Sequence, residues 1–166
     1  MAVRFSTMTY GTHLLSLSCI RTQLHPRVTG LFWASVGFFG RFPDTWQSFN
    51  ITFLELFPIV LAVRLWSCHM SNRCIVFVTD NAALVSVINQ QTSKNQLVMT
   101  LIRELVSTSL RFNIIFRARH IPGLHNTRAD CLSRLQIARF KELFPQADDL
   151  PTVVPENLLP RSWSLT

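Results

Sequence analysis

The chain has 166 residues, 48% of them apolar and 15% charged, with a net charge of +7. That length carries one domain with a sizeable core, and the composition excludes a disordered chain. The basic excess points to an anionic partner, nucleic acid being the commonest, beside the plainer alternative of a merely basic soluble protein. The charge is uneven: residues 101–136 carry six Arg against Glu104 and Asp130, whereas residues 137–166 carry three basic and four acidic groups. A polyanion is therefore expected at the first of these regions.

Residues 31–39 and 53–66 are apolar runs. Both fall short of the roughly 18 residues a bilayer span needs, and Glu55 and Arg64 interrupt the second. Both read as core, with no membrane partner. The four cysteines, Cys19, Cys68, Cys74 and Cys131, fit neither a zinc spacing nor a disulfide framework. Free thiols suit a reducing, intracellular compartment, cytoplasmic or nuclear. The start of the chain, with Arg4, many hydroxyls and no acid before Asp44, weakly resembles a mitochondrial presequence.

In chain order, residues 1–27 read as an atypical N-terminal segment, with a poorly alternating strand-like stretch at 14–20. Residues 28–42 are apolar and punctuated by Gly30, Gly37 and Gly40, which predicts a β-hairpin. Thr52 followed by Glu55 has the form of a capping box and predicts a buried helix to about Trp66, kinked or frayed near Pro58. Residues 74–79, a β-branched run ending at Asp80, suit an inner strand covered on both faces. A short helix over 82–88, a polar loop over 90–95 and a longer helix over 97–110 follow.

Residues 113–119 predict a strand with Ile114, Phe116 and Ala118 on one face and Arg117 and Arg119 on the other. A turn follows over 120–123, then a helix capped by Asn126 and stopped by Pro145. The expected fold is α/β, a mixed sheet of an antiparallel hairpin plus parallel strands, flanked by helices. Its expected extent is residues 28–144, with 145–166 a Pro-rich tail or linker.

Three acids fall at element ends. Asp80 ends an inner strand, where open α/β sheets place their sites. Glu55 is one of two charges on a buried helix, and Asp130 lies on the helix opened by Asn126. Three such carboxylates suit magnesium and the two-metal hydrolysis of a phosphodiester. Each also has a plainer role. Glu55 completes a capping box, Asp80 caps the next helix, Asp130 makes a surface ion pair, and His120 is a structural residue before a turn.

The segments "LEL" at 54–56, "LAV" at 61–63, "VTDN" at 78–81 and "RHIPGLHNTRADCLSR" at 119–134 resemble the type 1 ribonuclease H domain of retroelement reverse transcriptases. The text "NITFLELFPIVLAVRLW" is similar to the DIRS group, which carries a tyrosine recombinase. The resemblance implies a domain that hydrolyses RNA in RNA–DNA hybrids with a pair of Mg2+ ions. It implies Glu55, Asp80 and Asp130 as metal-binding carboxylates, His120 as a loop histidine serving protonation and product release, and Asn126 as the organiser of that loop. Arg117, Arg119, Arg128 and Arg134 are the candidate nucleic-acid contacts, or a solvated basic face.

One family feature is absent. The first strand of the family carries an aspartate, yet no Asp or Glu precedes Asp44 here, and residues 16–27 do not resemble the family. A frameshifted or substituted start explains this better than a presequence does. The expectation is a ribonuclease H-like domain with impaired or absent activity. The alternatives are a non-catalytic nucleic-acid-binding module and a structural remnant of a polyprotein.

Overall fold

The computed structural model describes residues 12–20, 28–33, 36–46, 48–122, 131, 136–148 and 150–158. The strands are β1 (Thr12–Ile20), β2 (Val28–Trp33), β3 (Val36–Arg41), β4 (Cys74–Thr79) and β5 (Ile115–His120). The helices are α1 (Ile51–Met70), α2 (Ala82–Gln90), α3 (Gln96–Arg111) and α4 (Ile137–Leu143). The strands form one sheet in the order β3-β2-β1-β4-β5. β2 and β3 make the expected hairpin, with Trp33 opposite Val36, and β1 joins it antiparallel. β4 lies parallel to both β1 and β5.

The sheet takes its middle strand from residues 12–20, upstream of the point where the sequence pattern first reads as this fold. Local alternation is a poor guide here. A strand bonded to neighbours on both sides is held by their ladders and needs no period-two pattern of its own.

α1 begins one residue before the expected Thr52. Its cap is Asn50, whose Oδ1 accepts from the Thr52 N–H at 2.7 Å. The capping-box reading therefore fails, and Glu55 lies past the first turn. The helix runs through Pro58 to Met70, although Pro58 offers no N–H to the Leu54 carbonyl. It is long and apolar enough to cross a bilayer, but most of it is buried inside the fold.

α1 packs on α3, whose buried Val98, Leu101, Ile102 and Leu105 recur at helical spacing. Ile75 and Phe77 of β4 join that core, while Val76 and Val78 are buried outside it. The strand is thus covered on both faces, as its unbroken apolar text requires. An aromatic cluster ties β3 to α1. The Trp46 ring lies 5.3 Å from Phe53, 5.0 Å from Phe57 and 5.7 Å from Phe42.

The C-terminal region departs from expectation in two ways. Gln136 has φ −83° and ψ 62°, and its N–H bonds the Cys131 carbonyl at 2.8 Å, so no single helix runs through to Phe144. α4 starts after this break and ends before Pro145. Residues 150–158, within the segment expected to be a tail or linker, also fold back. The Thr152 N–H donates to the Gly37 carbonyl at 2.7 Å, and Val154 and Leu158 pack against the main core.

Candidate functional site

β4 ends at Thr79, and the chain leaves the sheet through Asp80. The Thr79 Oγ1 accepts from the Asn81 N–H at 3.2 Å, and its carbonyl accepts from the Ile121 N–H at 3.0 Å. Asn81 caps α2, its Oδ1 accepting from the Leu84 N–H at 3.1 Å. The capping role that the sequence left open for Asp80 therefore falls to Asn81. This leaves the Asp80 side chain exposed at the carboxyl end of the strand.

His120 sits at the end of β5 rather than in a turn, paired in register with Thr79. Its Nε2 lies 3.1 Å from the Asp80 carbonyl oxygen, a contact in which the ring donates. The strand register thus brings the histidine beside the strand-end aspartate, although 40 residues separate them.

Glu55 enters from α1. Phe53 and Phe57, two residues to either side, are held by Trp46, which fixes the rotation of the helix about its axis. The Glu55 side chain is buried, at 5% exposure. Burial pushes its carboxyl up from 4.5 to about 7; a hydrogen bond from the Asn81 side chain opposes this, and the nearby Asp80 charge adds to it. Its Oε2 has no hydrogen-bond partner among the described residues. A buried carboxylate oxygen left unsatisfied beside a second carboxylate is an unusual arrangement, met mostly where a proton or a cation is to be held.

Glu55 and Asp80 together offer oxygen ligands of the type magnesium takes. No group of three His, Cys, Asp or Glu side chains suited to a metal exists among the described residues. Asp130, Asn126, Arg128 and Arg134 lie outside the described residues. The pair fits part of the coordination of one divalent ion, with the orphaned Oε2 as the observation in favour. No third carboxylate is grouped with this pair among the described residues to serve a second ion. Strand β1, which runs alongside β4, contains neither Asp nor Glu.

Arg117 and Arg119 are exposed on β5 and pair in register with Val76 and Val78. They therefore lie on the sheet face away from α1, while Ile114 and Ala118 are buried and Phe116 half-buried toward it. Cys68 is exposed, Cys74 half-buried and Cys131 buried, all as free thiols. Sequence reasoning missed two asparagines. Asn81 looked like one letter of a short motif, and its double duty toward α2 and Glu55 needs coordinates. Asn89, whose carboxamide bonds both backbone groups of Ala118, gave no signal at all.

The chain matches no protein-family model and no curated protein sequence. It is similar in structure to ribonuclease H1 from the halophilic archaeon Halobacterium salinarum, with a TM-score of 0.53 and 14% identity, over 78% of this chain and 99% of that one. It is also similar to the N-terminal RNase H domain of a Mycobacterium tuberculosis protein, with a TM-score of 0.49 and 14% identity, over 80% and 97% of the two chains. A third likeness is to a compost-derived RNase H1 in complex with RNA/DNA hybrid, with a TM-score of 0.47 and 14% identity, over 77% and 96%. Identities this low speak to architecture alone, and the first likeness is the one that carries it. The sheet, its mixed pairing and its flanking helices make this an RNase H-like fold.

Proposed function

We propose that this chain is a nucleic-acid-binding domain descended from a retroelement ribonuclease H of the DIRS group, with hydrolysis of the RNA strand of RNA–DNA hybrids impaired. The observation that carries the reading is the meeting of Glu55 and Asp80 at the end of β4, beside a β1 that brings no acid. His120 against Asp80 supports it, as does the matching order of the sequence blocks.

Glu55 and Asp80 are the residues that would hold magnesium, joined by Asp130 if the resemblance carries through. A bound divalent ion supplies charge neutralisation at the phosphate and a water of lowered pKa. The chain's own residues do the rest. Asn81 braces the Glu55 carboxylate, and the aromatic grip on α1 keeps it in the low-dielectric end of the site. His120 is placed to hand a proton to a group leaving near Asp80. Without a carboxylate from β1, two divalent charges about 4 Å apart have too few anionic ligands. Binding does not share this defect, because hybrid duplexes are held through backbone and 2′-hydroxyl contacts. Arg117 and Arg119 supply exposed positive charge for such contacts, with Arg128 and Arg134 as further candidates.

The test is a labelled RNA–DNA hybrid incubated with the full chain and Mg2+, beside a binding titration with the same hybrid. Saturable binding with no cleavage above background is the expected result. Robust Mg2+-dependent cleavage abolished by Asp80→Asn overturns the impairment, and absence of binding at low salt overturns the nucleic-acid reading.

A further inference from the structure

The two outer strands, β3 and β5, each present a row of backbone groups that no strand among the described residues satisfies. Such rows recruit strands from other molecules unless something covers them. We infer that this chain closes both edges with non-strand elements, Asn89 on β5 and the 151–155 segment on β3, and that these closures keep the sheet from pairing with a second copy of the chain.

On β5 the register shows which groups point outward. The Ile115 N–H bonds the Arg73 carbonyl and the Ile121 N–H bonds the Thr79 carbonyl, so the odd-numbered residues face β4. Backbone direction alternates along a strand, which leaves Phe116, Ala118 and His120 facing out. Ala118 is the middle one. Its N–H donates to the Asn89 Oδ1 at 2.7 Å, and its carbonyl accepts from the Asn89 Nδ2 at 3.0 Å. A carboxamide carries one donor side and one acceptor side, so it reproduces both bonds that a neighbouring strand would make. Asn89 comes from α2, which packs along β5. An incoming strand would have to displace this side chain to find a continuous edge.

On β3 the Gly37 carbonyl is one of the outward groups, and the Thr152 N–H takes it at 2.7 Å. Residues 151–155 alternate exposed and half-buried, the pattern of an extended segment lying on a surface, with Thr152 and Val154 inward. Val154 and Leu158 anchor it to the main core. Pro151 and Pro155 bracket the contact and lack an N–H, so the segment covers the edge without offering a full new one. The two closures are independent of each other and of the carboxylate site.

The experiment uses the full chain with Asn89→Ala, with Thr152→Pro, and with both. Thr152→Pro removes the one N–H that reaches Gly37. Amide exchange is read residue by residue, and mass is read by sedimentation across a concentration series. In the unmodified chain the Ala118 and Thr152 amides are expected to be protected and the chain monomeric. Asn89→Ala is expected to speed Ala118 exchange by about tenfold or more while Phe77 in β4 is unchanged, which separates edge opening from general loosening. The double variant is expected to dimerise with rising concentration. Fast exchange at Ala118 and Thr152 in the unmodified chain overturns the inference without requiring any variant to fold. A double variant that keeps Phe77 protected and stays monomeric throughout overturns it as well.

Discussion

Glu55 concentrates the chemistry of the site in one side chain. Its carboxyl is pushed up to about 7 chiefly by burial, from 4.5 in the open chain. The folded state therefore holds the proton more tightly than the unfolded state does. Between pH 4.5 and about 7 the native protein carries the extra proton, so the contribution of Glu55 to stability is fully present below 4.5 and is lost as pH rises to about 7. A displacement of this size corresponds to about 3 kcal/mol as an upper bound. Chemical denaturation across this range, with chelator present, should show the fall, and Glu55→Gln should flatten it. A profile with the same slope in both proteins would remove Glu55 as its source. Added Mg2+ should recover stability above pH 7 in the unmodified chain and do less in the Gln variant, because only the carboxylate has charge to offer.

Among the elements, α1 and β1 decide whether the site exists. The rotation of α1 is set by Trp46 lodged between Phe53 and Phe57. Trp46→Ala should cost about 3–5 kcal/mol, as large-to-small changes at buried aromatics do. The loss should appear as a lower denaturation midpoint. A cost below about 1 kcal/mol would mean that the cluster does not hold the helix. β1 poses a different question. Leu15 pairs with Phe77 and Ser16 with Val78. Parallel partners share a phase, so Leu17, two residues past Leu15, is in phase with Phe77, a member of the core beneath α1, and lies nearer the Asp80 end of β4 than Leu15 does. Leu17→Asp is therefore expected to raise affinity for Mg2+ or Mn2+ and to restore part of the hybrid cleavage, whereas Ser16→Asp, out of phase, should do neither. Equal behaviour of the two variants would sink the register argument.

At the scale of the molecule, charge and site are distributed differently. His120 lies against the Asp80 carbonyl where β4 ends, while Arg117 and Arg119 lie on the sheet face away from α1. Binding to hybrid duplex should weaken as salt rises. Each arginine that contacts a phosphate contributes about 0.9 to the slope of log affinity against log salt. Changing Arg117 and Arg119 to Ala should flatten that slope by nearly twice this amount while leaving the fold intact, since both side chains are exposed. An unchanged slope would move the interface elsewhere. The Arg64–Glu104 pair between α1 and α3, at 3.5 Å and partly exposed, should contribute little to stability.

The sequence by itself determined the hairpin, the buried helix around Glu55, the inner strand ending in Asp80, the longer helix that α3 forms and the inward face of Ile114, Phe116 and Ala118. Each of these is a local pattern, an unbroken apolar run where an element is covered all round or an alternation where one face is. The same text made Glu55, Asp80 and His120 candidates but gave no means of joining them, because 25 residues separate the first two and 40 the last two. The tertiary structure set His120 against the Asp80 backbone through the parallel register of β4 and β5, which no local pattern encodes, and buried Glu55 on α1. It also moved the cap of α1 to Asn50, gave the cap of α2 to Asn81, and made residues 12–20 the middle of the sheet. The caps are local choices among neighbouring side chains that compete for the same N–H groups. Strand pairing and edge closure are settled by partners from elsewhere in the chain, so those choices are invisible until the chain is folded.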